Sequence, residues 1–290
     1  MASMVENLHE LWRFRDLLRQ LVLRELRVRY KNSVLGFFWS IIPPLLQVLV
    51  FSFFVKTALN AQAKNYSPYL LCGLIPWTFV TNAALDSSQS ILVNFGIIKK
   101  VYLPREVIPI AIIISNFIHY LLGWAVYFVA FLVVLPFFDR GIPFRTTLLW
   151  FPLITIVALL FTTGLSLWVA ALNVFYDDVK FILQTSFNLL IFLLPVIYPT
   201  EVFHEKSFVV AHPWLFHLFM LNPVTAVIDT YRKTLLMPVP QGSFGIKGIP
   251  RLMDPAHWAY FGGAAILSLL FAYSGYWYFN KRKWQFVERI

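Results

Sequence analysis

From Arg27 to Phe54 the chain reads "RVRYKNSVLGFFWSIIPPLLQVLVFSFF". Arg27, Arg29 and Lys31 fall within five residues, and no Asp, Glu, Lys or Arg follows until Lys56. About 20 mainly apolar residues cross a bilayer core, so Asn32–Val55 reads as a first membrane span with a basic approach. Gly36 is expected to allow close helix approach, and Trp39 to lie near the interface. Pro43 and Pro44 each lack a backbone donor. They are expected to kink the span in its first half and to open its inner end.

The rest of the chain repeats this pattern. Of its 290 residues 59% are hydrophobic and 13% charged, where a soluble domain is about a quarter charged. The mean hydropathy is +0.69. The expected fold is all-α and polytopic, one domain over 1–290 with six transmembrane helices. The spans are expected at about 33–56, 67–93, 107–137, 147–175, 181–200 and 257–280, after an amphipathic interface helix over 1–31. Ser207–Ile228 is semi-apolar but broken by His212, Pro213, His217, Asn222 and Pro223. It reads as re-entrant external helices between spans five and six.

Six spans put both termini on one side. Residues 1–33, 95–107, 175–180 and 281–290 then share a side and carry 15 of the 24 Lys and Arg. The positive-inside rule makes that side cytoplasmic. The start, "MASMVENLHELWRFRD", lacks the apolar core of a secretory signal.

Residues 8–31 suggest a helix lying on the membrane. His9, Arg13, Asp16, Gln20, Arg24, Arg27 and Lys31 form a polar stripe, opposite Leu8, Leu11, Trp12, Leu18, Val22 and Leu26. Arg15, Arg19 and Arg29 interrupt the apolar side and are expected to snorkel to lipid headgroups.

Ionisable groups inside the spans are sparse: Asp86 in the second and His119 in the third, which form no motif. His119 reads as a hydrogen-bonded structural residue. Adjacent Asp177 and Asp178 suit capping or a partner contact better than a metal. His204, His212 and His217 are poorly spaced for zinc, and the lone Cys72 excludes an internal disulfide. "GSFGIKG" (242–248) lacks the G-x-x-x-x-G-K-[ST] pattern, so ATP hydrolysis by a P-loop is excluded. No catalytic residue, metal or cofactor is assigned. Of the 52 aromatic residues, Trp258, Tyr260, Trp277 and Trp284 fit interfacial belts. Phe37, Trp39, Trp77, Trp124, Trp168 and Tyr198 are candidates to line a passage for sugars, with inter-helix packing as the alternative.

Several stretches together resemble the membrane permease subunit of ABC-2 type exporters for lipid-linked polysaccharides. They are "LVLRELRVRYKNSVLGFFWSIIPPLLQVLVFSFFV" (21–55), "YLLCGLIPWTFV" (69–80), "NFGIIKKVYLPREVIPI" (94–110), "LNVFYDDVKFIL" (172–183), "PVIYP" (195–199) and "LNPVTAVIDTYRKTLL" (221–236). No single motif is decisive; order and spacing carry the likeness over nearly the whole chain. Where many relatives have Arg-Asp, this chain has Asp177-Asp178.

The resemblance implies a transport subunit in the bacterial inner membrane, paired with a second copy of itself. Two cytoplasmic ABC subunits would bind the ATP and Mg. The cargo would be a lipid-linked glycan of O-antigen, teichoic acid or capsule type, with no nucleic acid involved. It casts Asn94, Ile97, Ile98, Lys99, Lys100, Tyr102, Leu103, Pro104 and Arg105 as the element that docks on the ATPase. It implies a pathway between the two copies, lined by spans one, two and five. Arg27, Arg29 and Lys31 then suit the phosphate of the cargo lipid. A permease for a drug or small hydrophobic solute, or a stand-alone lipid-modifying enzyme, remains an alternative.

Overall fold

The computed structural model describes residues 11–31, 33, 36, 39, 42–58, 66–100, 103–138, 146–198, 200–204, 206–236 and 255–286. Tyr102, Phe37 and the 242–248 glycine segment lie outside the described residues.

Every regular element among the described residues is helical. Helix α1, Arg15–Tyr30, is followed by α2, Ile42–Ala58, and α3, Tyr66–Val93. The short α4, Phe95–Lys100, leads to α5, Val107–Phe138. A 3-10 turn, Thr146–Trp150, opens α6, Phe151–Phe175, and α7 is Val179–Leu193. Four short helices come next: α8 Thr200–His204, α9 Ser207–Ala211, α10 Pro213–Leu221 and α11 Pro223–Leu235. The last long helix is α12, Pro255–Arg282, closed by a 3-10 turn at Lys283–Gln285.

Among the described residues four helices are long and apolar enough to cross a membrane: Tyr66–Val93, Val107–Val129, Thr147–Phe175 and Trp258–Gln285. They match the expected second, third, fourth and sixth spans. The apolar stretches Ile42–Phe54 and Val179–Leu193 are shorter. At about 1.5 Å per residue, the 17 residues of α2 and 15 of α7 rise about 26 and 22 Å.

The double proline corrects the expectation of a kink. Pro43 and Pro44 occupy the first turn of α2, just after Ile42. Helical N–H groups there have no intrahelical acceptor, so the missing donors cost nothing and the fixed φ favours initiation. The described helix α2 begins at Ile42, nine residues after the start expected for the first span at about residue 33. Pro76, inside α3, does remove a mid-helix donor. Gly36 also has another task than close packing. Its φ is +49°, nothing among the described residues lies within 4 Å of where a Cβ would stand, and its N–H donates to Ser33 Oγ at 3.1 Å. It makes a left-handed turn between α1 and α2.

Close helix approach occurs elsewhere. A Cβ on Gly164 of α6 would collide with the Phe271 backbone of α12, and one on Gly275 with the Gly164 carbonyl. Helices that associate in lipid gain little from apolar burial, so small residues that let backbones touch supply the packing. Thr162 and Ser268 near this seam each donate to their own i−4 carbonyls, Ala158 and Ala264, at 2.7 and 2.8 Å. Their hydroxyls thus cost nothing in an apolar setting.

Helix α3 is central. It packs on α2, α5, α6, α7 and α11, and its residues Leu70, Cys72, Leu74, Ala83 and Ala84 are fully buried. Helix α1 lies on α5, burying Leu21 and Val22 against Val107 and Ala111. Of the expected apolar stripe, Val22 is buried and Leu11, Leu18 and Leu26 pack beside it, while Trp12 is exposed and Leu8 lies outside the described residues. Helix α11 starts with Asn222, whose side chain accepts from Val224 N at 3.0 Å, and Pro223 follows in the first turn.

Candidate translocation and coupling sites

Arg29 and His119, which sequence reading treated singly, meet in one groove between α1, α2, α3 and α5, and Asp86 is bonded to Arg29 at its edge. The groove's volume is about 450 Å³. Arg29, Asn82, Asn116 and His119 lie toward one end, and Leu71, Val126 and Tyr127 toward the other. Trp39, Pro43, Pro44 and Gln47 form the α2 side.

The charged end is tightly connected. Arg29 Nη2 meets Asp86 Oδ2 at 2.5 Å, and Nη1 donates to Asn116 Oδ1 at 3.2 Å. Asn116 Nδ2 in turn donates to Asp86 Oδ2 at 3.0 Å. The Tyr30 hydroxyl contacts His119 Nε2, while His119 Nδ1 meets the Ser115 carbonyl at 2.7 Å. Next along α1, Arg24 donates to Asn94 Oδ1 at 2.6 Å. Arg29 is therefore held by the spans rather than snorkelling to lipid. The sequence signal was available: Asn82 and Asp86 stand four apart, and Asn116 and His119 three apart, so each pair shares a helix face.

The expected coupling element is a short helix with an exposed tip. Lys99 and Lys100 are exposed at the end of α4, and Ile97 and Ile98 are half-buried. Asn94 is buried as the joint, its Nδ2 donating to Ser90 O at 2.9 Å. Leu103 and Pro104 are buried. Arg105 turns inward: its Nη1 donates to the Lys283 carbonyl, and its guanidinium lies 5.5 Å from the Trp284 ring centroid. Burial lowers its pKa, against the Glu106 charge. Beside it Lys283 Nζ meets Glu106 Oε1 at 3.1 Å, with the carboxylate side chain fully buried. These contacts pin the C-terminal turn to the start of α5.

At the opposite end of α3, Arg232 of α11 is 4% exposed. It donates to the carbonyls of Pro195 and Val196 at 2.5 Å, and of Tyr69 and Tyr198 at 3.2 Å. Its guanidinium lies 3.7 Å from the Tyr69 ring centroid. A Cβ on Gly73 would press against Val196 O and Arg232 Nη2, so glycine is required at this crossing. Asp229 accepts from Lys233 Nζ at 2.5 Å and Thr200 Oγ1 at 2.7 Å. Sequence reading missed this clamp, because a cation in a mixed segment looks like a surface residue.

The aromatic candidates divide. Trp39 is exposed on the groove's α2 side. Trp77 is buried against Phe187 with centroids 5.9 Å apart. Trp124, 1% exposed, sits among Tyr120, Tyr127, Phe151 and Tyr231. Trp168 stacks on Tyr278 at 4.3 Å and donates to Ser274 Oγ at 3.1 Å. Trp77, Trp124 and Trp168 thus pack between helices of one chain, the alternative that the sequence left open for them. Tyr198 donates to Leu193 O at 2.5 Å. Asp178 makes no side-chain cap bond to α7; instead Asn173 Oδ1 accepts from Lys180 N at 3.1 Å. Among the described residues no three His, Cys, Asp or Glu side chains gather as a metal site.

Buried cations, Arg232 and Lys283, thus clamp helices at both ends of the described bundle. The sequence model of the ABC-2 type transporter family matches residues 16–236. The chain belongs to that family. This places it as the transport subunit of an ABC system, embedded by several membrane-crossing helices. It is similar to an O-antigen export system permease protein RfbA of Klebsiella pneumoniae, with 30% identity over 275 residues, 94% of each chain. It is also similar to the protein of that name from Myxococcus xanthus, with 28% identity over 229 residues, 79% of this chain and 84% of the relative.

Proposed function

We propose that this chain is the permease subunit of an ATP-driven exporter moving a lipid-linked polysaccharide across the bacterial inner membrane. The observation that carries this is the 30% identity, spanning 94% of both chains, with a protein named for O-antigen export. In this reading residues 1–290 form one transmembrane domain. Helices α2 and α7 complete six spans, both termini are cytoplasmic, and α1 lies at the cytoplasmic interface. Helices α8 to α11 form the external cap, held to the end of α7 by Arg232.

Two copies of the chain enclose the pathway. In support, α2 exposes Leu46, Leu49, Val50 and Phe53, and α7 exposes Phe181, Leu189 and Phe192. Helix α7 also exposes Gln184, Thr185 and Asn188. Amides and a hydroxyl on a span disfavour lipid and favour a polar lumen. Arg27, Arg29 and Lys31 stand where α1 meets the first span, and receive the phosphate of the cargo lipid.

Energy enters from two ABC subunits, which bind ATP and Mg and dock on α4. The protruding Lys99 and Lys100, with Ile97 and Ile98 behind them, suit a groove on the ATPase. Arg105 positions this element from behind. The test is co-purification. An ATPase subunit should accompany the chain and hydrolyse ATP faster with it. The Lys99→Glu/Lys100→Glu variant should lose that acceleration while remaining folded. Isolation without any ATPase partner would refute the proposal.

A further inference from the structure

We propose that the groove between α1, α2, α3 and α5 binds a single-chain phosphorylated lipid, phosphate at Arg29 and hydrocarbon along α3 and α5. This rests on the polysaccharide-export reading and extends it to the lipid part of the cargo.

The groove is amphiphilic along its length. Both long walls run the same distance: Asn116 to Tyr127 on α5, and Asn82 to Leu71 on α3. Eleven residues of helix rise about 16 Å, half of a hydrocarbon core of about 30 Å. The charged and ring-nitrogen groups, Arg29 and His119, stand with Asn82 and Asn116 at one end, at the mouth of the first span; the polar groups farther along are the uncharged Gln47, Thr78, Tyr120 and Tyr127, and the two tyrosine hydroxyls are taken up by Tyr231 and Cys72. Beyond that end Ile75, Phe79, Gly123 and Val126 line the way. A volume of about 450 Å³ lies in the lower part of the ligand-pocket range of about 300–1,000 Å³. It accommodates one chain segment and not a pair of acyl chains.

Arg29 offers the head of such a lipid a guanidinium fork. Asn116 stays beside it as a further donor. Asp86 now shares Arg29, and an arriving phosphate takes its place there. The Asp86 side chain is 40% exposed and also borders the hollow that Lys180 and Gln184 line, so it can turn toward a second cation. Gly123 keeps the apolar part open. A Cβ there meets only Ile75, at 3.5 and 3.8 Å, so alanine fits and a larger side chain fills the groove.

The test uses the full-length chain purified in detergent, with polyprenyl monophosphate as the probe and native mass spectrometry as the readout. Wild type and Gly123→Ala should each retain one probe per chain. Gly123→Leu, Val126→Trp and Arg29→Gln should each weaken retention about tenfold. Two groove-filling variants on one wall guard against misfolding of either. Equal retention by both filled variants would overturn the proposal. Displacement by millimolar inorganic phosphate would also overturn it, since the head alone would then suffice. Equal competition by two-chain phosphatidic acid would reduce the site to ordinary bilayer lipid. The same variants are then expressed in a strain lacking its own permease. If wild type restores surface polysaccharide and the filled variants do so equally, the groove fails and the export reading stands. If wild type restores nothing while the probe still binds, the export reading falls instead.

Discussion

Replacing Arg232 by Met tests the external clamp. The guanidinium is 4% exposed and satisfies three carbonyls just beyond the end of α7, those of Pro195, Val196 and Tyr198. Each buried carbonyl left without a donor costs about 1–3 kcal/mol, so the three lose about 3–9 kcal/mol. Against this, the buried cation's own desolvation cost disappears, and that amounts to several kcal/mol. The net loss is about 3 kcal/mol, typical for removing one member of a buried charged network. Amide hydrogen exchange reads it locally. Val196 and Tyr198 should exchange about a hundredfold faster in the Met variant, while the centre of α3 keeps its protection. Arg232→Lys keeps the charge but not the planar fork, so it should lose about half as much free energy. Exchange within threefold of wild type in Arg232→Met would refute the clamp.

Other substitutions separate tight contacts from loose ones. Gly164→Val should part α6 from α12 and lower the unfolding temperature sharply, whereas Gly262→Ala, with open space around it, should leave it unchanged. Glu106→Gln strands the Lys283 ammonium against a fully buried partner and should cost about 3–5 kcal/mol, measured by denaturant unfolding in detergent. A double-mutant cycle with Lys283→Met should recover part of that loss. Asp86→Asn, by contrast, breaks a pair whose side chains are 36% and 40% exposed. It should cost no more than about 1 kcal/mol in the same measurement.

The long helices were legible because hydrophobic runs of span length have few other physical solutions. The four described long spans fall where the uncharged runs predicted them. Pro43 and Pro44 were misread because a proline's effect depends on its place in the helix, and the sequence does not mark where α2 starts. The site was legible only in pieces. Arg29, Asp86 and His119 were each noticed, but their convergence needs α1 folded back on α5, a contact 87 residues apart in the chain for Arg29 and Asn116. Trp124 and Trp168 looked available because depth in a run does not say which face points to a neighbour. Arg232 was invisible as a clamp because its partners are backbone carbonyls, which leave no trace in composition.

The central claim is tested most directly by transport in sealed inverted membrane vesicles holding the permease and its ATPase. Lipid-linked polysaccharide is offered on the outer, cytoplasm-equivalent face, and its protection from an added glycosidase is followed. The account predicts that ATP makes the glycan resistant to the enzyme, and that the Lys99→Glu/Lys100→Glu variant abolishes this. Full glycosidase sensitivity with ATP, despite active hydrolysis by the assembled complex, would contradict it.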